Sequence, residues 1–280
     1  NIDSQGTLDG QVLTSDISNL TNLNVSYQNI SDLSGIQDFV SLTELDINNN
    51  LISSLDVSGN SNLVSIRARN NSLNSLMVKG LTALEILRCT SNQLTALNLS
   101  DNINLTELDF TSNLITEINL DQNTKLEQLY AESNQLETLD LSQNTLLNTV
   151  ACYDNSLIEF NIKNGNNSAI NGTSFSAGQN PNLTCIEVDD INYSISNWTF
   201  IDAQTTFSED CSYSSYTFIQ DTNFEQFLID ENIDSEGVLN GKVLTADIEN
   251  ITNLDASQKS ISDLSGIQDF SSLEILSIND

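Results

Sequence analysis

The chain has 280 residues, of which 39 are acidic and 8 are basic, so its formal net charge is −31. This charge disfavours binding to nucleic acid and to anionic membrane surfaces. Histidine is absent, which excludes Ser-His-Asp hydrolases and histidine-ligated zinc sites. No stretch reaches the roughly 18 apolar residues of a transmembrane helix, and residues 1–4 lack the basic start and apolar core of a signal peptide. We therefore expect a soluble chain that lacks its natural N-terminus.

Residues 1–41 precede the regular part of the sequence and are predicted to form a truncated N-terminal cap and a first coil. Within them, Asp9, Gly10 and Asp16 have the spacing of the second half of an EF-hand calcium loop. The first half departs from that loop, because Gln5 and Thr7 occupy the places of Asp or Asn ligands. Two alternatives follow: a weak calcium site, or a turn that joins the cap to the first strand.

Residues 42–165 repeat a motif with a period of 21 residues, Leu-x-x-Leu-x-apolar-x-x-Asn. A fixed period near 20 residues is typical of a solenoid. In the fourth copy, Leu108 and Phe110 are expected to point inward and Asp109 outward, because side chains alternate along a strand. We predict one short parallel strand per coil, and extended or turn structure on the opposite side, where a coil of this length leaves little room for a helix. The six copies begin at Leu42, Leu63, Leu84, Leu105, Leu126 and Leu147.

The last position of the motif is an asparagine in every copy. An inward asparagine at a turn can bind the backbone donors and acceptors that a tightly wound solenoid must bury. We therefore predict a structural asparagine ladder, with a ligand-binding row as the alternative. A partial second ladder follows in the other half of the coils, at Asn102, Asn123 and Asn144. The first ladder consists of Asn50, Asn71, Asn92, Asn113, Asn134 and Asn155.

The repeated motif, with its Leu or Ile two residues after the asparagine, resembles the leucine-rich repeats of bacterial extracellular proteins. The similarity is to surface proteins of the Bacteroidota type and, more loosely, to the internalins. This resemblance implies a mostly β solenoid with a concave strand face that binds ligands, a small helical N-terminal cap and a C-terminal cap. A parallel β-helix is the competing fold.

Three of the eight basic residues, Arg67, Arg69 and Arg88, occupy outward strand positions of two adjacent coils. One interpretation is that they pair with neighbouring carboxylates across the sheet, each pair being worth well under 1 kcal/mol. The other is a binding patch, because arginine and tyrosine are enriched at interface hot spots and aromatic faces suit sugars. The predicted concave patch consists of Arg67, Arg69, Arg88, Asp109, Tyr130 and Tyr153.

Residues 166–211 lose the 21-residue motif and contain the single proline and the single tryptophan, Trp198. They are predicted to form the C-terminal cap, in which Trp198 and Phe200 fold over the open end of the solenoid. Cys185 and Cys211 lie at the two ends of this cap, and we predict that they form a disulfide. Such a bridge implies an oxidising compartment. A metal site is the weaker alternative.

Cys89 and Cys152 occupy equivalent inward positions three coils apart. At about 4.8 Å per coil they are about 14 Å apart, twice the separation that a disulfide tolerates. We predict that both are small core residues.

Residues 1–49 return at an offset of 231, with 32 of 49 positions identical. We infer that a whole module is duplicated, with a connector at 212–217 and the cap and first coils of a second module at 218–280. Asp221 is the predicted N-cap of a helix that places Phe224 and Phe227 on one face. In this copy the calcium-loop pattern contains Asn240 and Asp247. The parent polypeptide is expected to be longer.

These features favour a non-enzymatic protein, secreted by or attached to the surface of a bacterium, that binds a protein or polysaccharide on its concave face. The alternative is a structural subunit whose tandem modules contact copies of themselves in a filament, stalk or layer. The acidic pair Asp46 and Asp109 is predicted to lie about 14 Å apart, beyond the separation that glycoside hydrolysis uses. No cofactor is expected other than calcium in the weak EF-like loop.

Overall fold

The computed structural model of the chain describes residues 4–6, 10–211 and 216–278. The chain divides into two compact units, Asn1–Cys211 and Ser212–Asp280. The first unit holds the regular repeats and the second holds the sequence copy. Each unit has its own buried apolar core.

The first unit is a leucine-rich repeat solenoid, as predicted. Each 21-residue coil contributes one three-residue strand to a parallel sheet, and equivalent residues of successive coils are paired, as in Leu45 with Ile66 and Leu87 with Leu108. The paired leucines are fully buried. The eight strands, in sheet order, are Asn22–Asn24, Glu44–Asp46, Ser65–Arg67, Ile86–Arg88, Glu107–Asp109, Gln128–Tyr130, Thr149–Ala151 and Phe175–Ser176.

The opposite side of the coils contains short strands and turns, as expected for coils too short to hold a helix. Ser54–Asp56 pairs with Ser75–Met77 in a two-stranded sheet. A separate four-stranded sheet follows after two coils whose equivalent segments, 96–98 and 117–119, form no strand. Its strands are Thr138–Asp140, Glu159–Asn161, Cys185–Glu187 and Thr206–Ser208.

The C-terminal cap closes the solenoid with an aromatic stack and the predicted disulfide. The helix Ile191–Asn197 begins at Asp190, whose carboxylate accepts the backbone N–H of Tyr193. Trp198 follows the helix and is buried against Phe175, with ring centroids 4.1 Å apart. The bridge between Cys185 and Cys211 is formed, with Cα atoms 5.8 Å apart. A 3-10 helix, Asn167–Ala169, and the N-terminal elements Thr14–Ile17 (helix) and Ile36–Asp38 (3-10 helix) complete the unit.

Phe200 differs from its predicted role in the cap. Its side chain is half exposed, and its ring lies beside that of Tyr153 instead of covering the end of the solenoid. Trp198 already fills the end of the core, where its indole N–H donates to the carbonyl of Ile170 at 2.8 Å. The space that the prediction assigned to Phe200 is therefore occupied.

The second unit contains the helix Thr222–Asp230, and Asp221 is its N-cap, as predicted: one carboxylate oxygen accepts the backbone N–H groups of Asn223 and Phe224. Phe224 packs against Phe270. The remaining elements are the antiparallel strands Tyr216–Phe218 and Lys242–Leu244, the helix Thr245–Ile248, the parallel strands Asn253–Asp255 and Ile275–Ser277, and the 3-10 helix Ile267–Asp269.

The strand Tyr216–Phe218 corrects the predicted connector at 212–217. Thr217 is buried, and its hydroxyl donates to the carboxylate of Asp269 at 3.0 Å, so the second unit already begins within the predicted connector. Residues 212–215 lie outside the described part of the chain. The correction has a simple cause: antiparallel pairing with Lys242–Leu244 is a long-range contact that no local pattern reveals.

Candidate binding surface

The solvent side of the eight-stranded sheet corresponds to the predicted concave face, and we call it the sheet face. One row of outward side chains crosses it in register: Asp46 pairs with Arg67, Arg67 with Arg88, Arg88 with Asp109, and Asp109 with Tyr130. Neighbouring strands lie about 4.8 Å apart. The row therefore brings together four of the six residues predicted for the patch, within a span of about 15 Å.

The other two predicted residues, Arg69 and Tyr153, lie one outward position further along their coils. Arg69 reaches back to the row, where its guanidinium binds the carboxylate of Asp109. Tyr153 lies beside Phe200, with ring centroids 5.4 Å apart. Phe200 was not predicted to be part of this surface, because it follows the repeats and has no fixed offset from them.

Arginine pairing, one of the two sequence interpretations, accounts for two of the three arginines. Arg88 forms a two-pronged contact with Glu107, in which Nη2 lies 2.7 Å from Oε2. This hydrogen bond raises the pKa of Arg88 above its ordinary value. Arg69 pairs with Asp109, whereas Arg67 forms no ion pair within the described residues. Its guanidinium is half-buried, between Asp46 on one side and the occupied Arg88 on the other.

Burial perturbs the charged and aromatic groups at the far end of the row. Desolvation raises the pKa of Tyr130, and the nearby carboxylates of Glu107 and Asp109 raise it further. Desolvation also raises the pKa of Glu132, although a hydrogen bond from Thr111 opposes the shift. These groups are partly withdrawn from water before any ligand binds.

The asparagine ladder lies beneath this surface and binds backbone groups of two successive coils. In Asn113, the amide oxygen accepts the N–H of Leu94 at 3.0 Å, and the amide nitrogen donates to the carbonyls of Cys89 and Phe110. The same pattern recurs at the other five positions. The residue before each ladder asparagine has a left-handed φ between 52° and 59°. Both ends of the side chains are thus used by the coils themselves.

Asn180 continues the ladder into the C-terminal cap and was missed from the sequence. Its oxygen accepts the N–H of Leu157 at 3.1 Å, its nitrogen donates to the carbonyl of Cys152, and Gln179 before it has a φ of 55°. It lies 25 residues after Asn155, so a search at the 21-residue period does not find it. The local Gln-Asn order, shared with other coils, was the available signal.

In both copies, the EF-like loops use their polar groups on the backbone. Asp9 lies outside the described residues, and Asp16 accepts the N–H of Ser4 at 2.8 Å. In the second copy, Asp247 accepts the N–H of Ser235, and the side chain of Asn240 accepts the N–H of Lys242. Across residues 4–6, 10–211 and 216–278 there is no group of three or more His, Cys, Asp or Glu side chains that could hold a metal ion.

Glu225 is a further member of the second loop that was not predicted. Its carboxylate is buried, and one oxygen accepts the backbone N–H groups of Asn240 and Gly241 at 2.6 and 2.7 Å. Gly241 has a φ of 82°, a left-handed conformation that favours glycine. The loop is therefore held by a carboxylate from the cap helix. Its counterpart in the first copy would precede residue 1.

Solved leucine-rich repeat structures are similar to this chain at low identity. The functional domain of InlJ from Listeria monocytogenes is 22% identical, with 96% of this chain and 65% of that one covered and a TM-score of 0.37. A leucine-rich repeat protein of Leptospira interrogans is 17% identical, with 95% and 56% covered and a TM-score of 0.49. Internalin C2 of Listeria monocytogenes is 20% identical, with 70% and 84% covered and a TM-score of 0.38. The chain thus spans less than two thirds of the first two proteins.

No protein-family model and no curated protein matches the sequence. Among the helices that the structure describes, none is long and apolar enough to cross a membrane.

Proposed function

We propose that this chain is a non-enzymatic, extracellular binding or adhesion module that holds a protein or polysaccharide ligand on the sheet face. The observation that carries the proposal is the row that ends in exposed aromatic rings: charged side chains cross adjacent strands, and Tyr153 with Phe200 continues the surface. Arginine and aromatic side chains of this kind dominate the binding energy of protein interfaces. Aromatic rings beside polar groups also suit sugar faces.

An oxidising, extracellular location is supported by the bridge between Cys185 and Cys211, because disulfides persist outside the reducing cytosol. The net charge of −31 disfavours nucleic acid as a partner. The similarity of the repeat motif to bacterial surface proteins points to the same location. No cofactor takes part in the proposed function.

The test is a binding screen of wild-type chain and variants against arrays of glycans and of secreted or surface proteins. We expect the double variant Arg67→Ala/Arg88→Ala, and separately Tyr153→Ala, to lose binding to a ligand that the wild type holds. Lys79→Ala is the control, because Lys79 is exposed and follows a strand on the opposite side of the coils. Equal binding by all four proteins would exclude the sheet face as the binding surface.

A second candidate function is a structural subunit built from tandem modules. Its support is the matching placement of elements at the 231-residue offset: Thr14–Ile17 with Thr245–Ile248, and Ile36–Asp38 with Ile267–Asp269. Near-identical modules suit a lattice, because a lattice needs equivalent contacts in every copy. Electron microscopy of a protein with several modules separates the two functions: ordered fibres or sheets support the structural role, and isolated flexible beads contradict it.

A further inference from the structure

Three buried polar atoms of the sheet face have no hydrogen-bond partner. They are the hydroxyl of Ser65, Nε of Arg69 and the hydroxyl of Thr90. Ser65 is only 4% exposed. Buried polar groups in folded proteins are nearly always paired, so each exception calls for an explanation. The other unpaired atoms in the described part of the chain are oxygens of Asn60, Asn102, Asn123, Asn144 and Asp234, away from this surface.

The three atoms surround one side chain, Arg67. Ser65 and Arg69 are the outward residues on either side of Arg67 in the same coil, about 7 Å from it along the strand. Thr90 belongs to the next coil, where its carbonyl accepts the N–H of Asn70, the residue after Arg69. Arg67 itself has no ion pair within the described residues, although its neighbours Arg69 and Arg88 do.

All the unpaired groups around Arg67 are hydrogen-bond donors. The Nε–H of Arg69 can only donate, the hydroxyls of Ser65 and Thr90 can donate, and the guanidinium of Arg67 offers five N–H groups in a planar fork. A carboxylate supplies two acceptor oxygens at the spacing of that fork. The site therefore lacks the acceptors that a bound carboxylate would supply.

The surroundings restrict which carboxylates can enter. Asp46 lies one strand away on one side of Arg67, and Glu107 and Asp109 lie two strands away on the other. These carboxylates, and the net charge of −31, repel a ligand with many adjacent anionic groups. A single carboxylate between basic side chains meets the opposite situation, because its neighbours face Asp46 and Asp109.

We propose that Ser65, Arg67, Arg69 and Thr90 form a carboxylate-binding subsite for a protein segment in which one acidic residue is flanked by basic residues. This inference rests on the proposed function of the sheet face and names the chemistry of its ligand. Arg67 binds the carboxylate directly. The two hydroxyls and Nε of Arg69 complete its hydrogen bonds.

The test is a titration of the full chain with short blocked peptides, followed by NMR on the arginine Nε–H signals. The probes are the peptide Lys-Glu-Lys and its amide counterpart Lys-Gln-Lys. We expect saturable shifts of the Arg67 and Arg69 signals with the Glu peptide, and at least about tenfold weaker binding of the Gln peptide, as for loss of one charge-assisted pair. Equal affinity for the two peptides, or no saturable shift, would overturn the subsite.

Variants separate binding from folding. Arg67→Lys keeps the charge but loses the planar fork, and we expect it to weaken the Glu peptide about tenfold. Ser65→Ala removes a hydroxyl without a partner, so the unfolding midpoint should not fall while the peptide binds several-fold more weakly. If Ser65→Ala lowered the unfolding midpoint and left peptide binding unchanged, Ser65 would be a structural residue and the subsite would be wrong.

Two further measurements keep this inference distinct from the proposed function. A sulfated polysaccharide such as heparin should bind no more tightly than the Gln peptide, and tighter binding would contradict the exclusion of polyanions. A ligand from the binding screen that depends on Tyr153 but is insensitive to Arg67→Lys and Ser65→Ala would preserve the sheet face as a binding surface and remove the carboxylate subsite.

Discussion

Arg69 and Asp109 form an ion pair across two coils of the solenoid, although they are 40 residues apart in sequence. The strand Ile86–Arg88 lies between their coils, so the guanidinium of Arg69 crosses it. The carboxylate side chain of Asp109 is 9% exposed and the side chain of Arg69 is 40% exposed. The pair therefore joins coils that share no backbone hydrogen bond, at the centre of the proposed binding surface.

We expect Arg69→Ala to lower the free energy of unfolding by about 1–2 kcal/mol, because it leaves a largely buried carboxylate without its partner. The matched control is Arg67→Ala, which removes an arginine of the same face that has no ion pair and should change stability by less than about 0.5 kcal/mol. Urea unfolding followed by circular dichroism measures both. Equal losses for the two variants would show that the pair contributes nothing specific.

Asn113→Ala tests the ladder. The variant removes the acceptor for Leu94 N–H and the donor for two carbonyls, so we expect a loss of roughly 2–4 kcal/mol from buried groups left unpaired. Asn74→Ala is the control, since Asn74 is exposed and its side chain has no hydrogen bond in the described structure. A loss below that of the control would contradict a load carried by the ladder.

Reduction of the bridge between Cys185 and Cys211, which are 26 positions apart, is expected to destabilise the C-terminal cap by about 3 kcal/mol through the larger entropy of the unfolded chain. Trp198 is the single tryptophan and is buried in that cap, so its fluorescence reports the transition. The control is Cys185→Ala/Cys211→Ala, whose unfolding midpoint should not respond to reductant. A wild-type midpoint that is equally insensitive would refute the stabilising role.

Asp221 makes the second unit sensitive to acid. Hydrogen bonds from the hydroxyl and N–H of Ser262 and from the N–H of Phe224 hold the pKa of this carboxyl well below its ordinary value of 3.8. Because the folded pKa is lowered, the stabilisation is present above about pH 4 and is lost as the pH falls through the folded pKa. Hydrogen-exchange protection of the helix Thr222–Asp230 should therefore fall as the pH is lowered below about 4.

Asp221→Asn provides the comparison for this acid sensitivity. Asparagine can still cap the helix through one oxygen, but it cannot offer the second oxygen that accepts from Ser262 and Asp263. The variant should show less protection at neutral pH and a flatter dependence below pH 4. Identical pH profiles for the two proteins would assign the acid sensitivity to other carboxyls.

Calcium at millimolar concentration should leave the thermal unfolding midpoint unchanged. Weak extracellular calcium sites have Kd values of about 0.1–1 mM and several oxygen ligands, whereas Asp16 and Asp247 each bind a backbone N–H of Ser4 or Ser235. Differential scanning calorimetry with calcium, and with magnesium as the control, measures the effect. A rise of the midpoint with calcium alone would restore the EF-like interpretation.

Residues at a fixed offset were predictable, and residues outside the period were not. The positions of the strands and the pairing of Cys185 with Cys211 follow from repetition and from the few cysteines available. Asn180 and Phe200 were missed because the cap changes the spacing, so that equivalence in space no longer appears as equivalence in sequence. Glu225 was missed because its partners, Asn240 and Gly241, are joined to it only by the fold of the second unit.

The sequence by itself determined the solenoid, because a 21-residue period with buried leucines permits only one inward face per coil and places equivalent residues side by side. It also determined that three arginines share one face. Only the tertiary structure decided which of them are neutralised. Arg69 passes over its nearest coil to Asp109 and Arg88 takes Glu107, since the choice of partner depends on side-chain reach and burial across three coils. Arg67, in the middle of the row, is thereby left for a ligand.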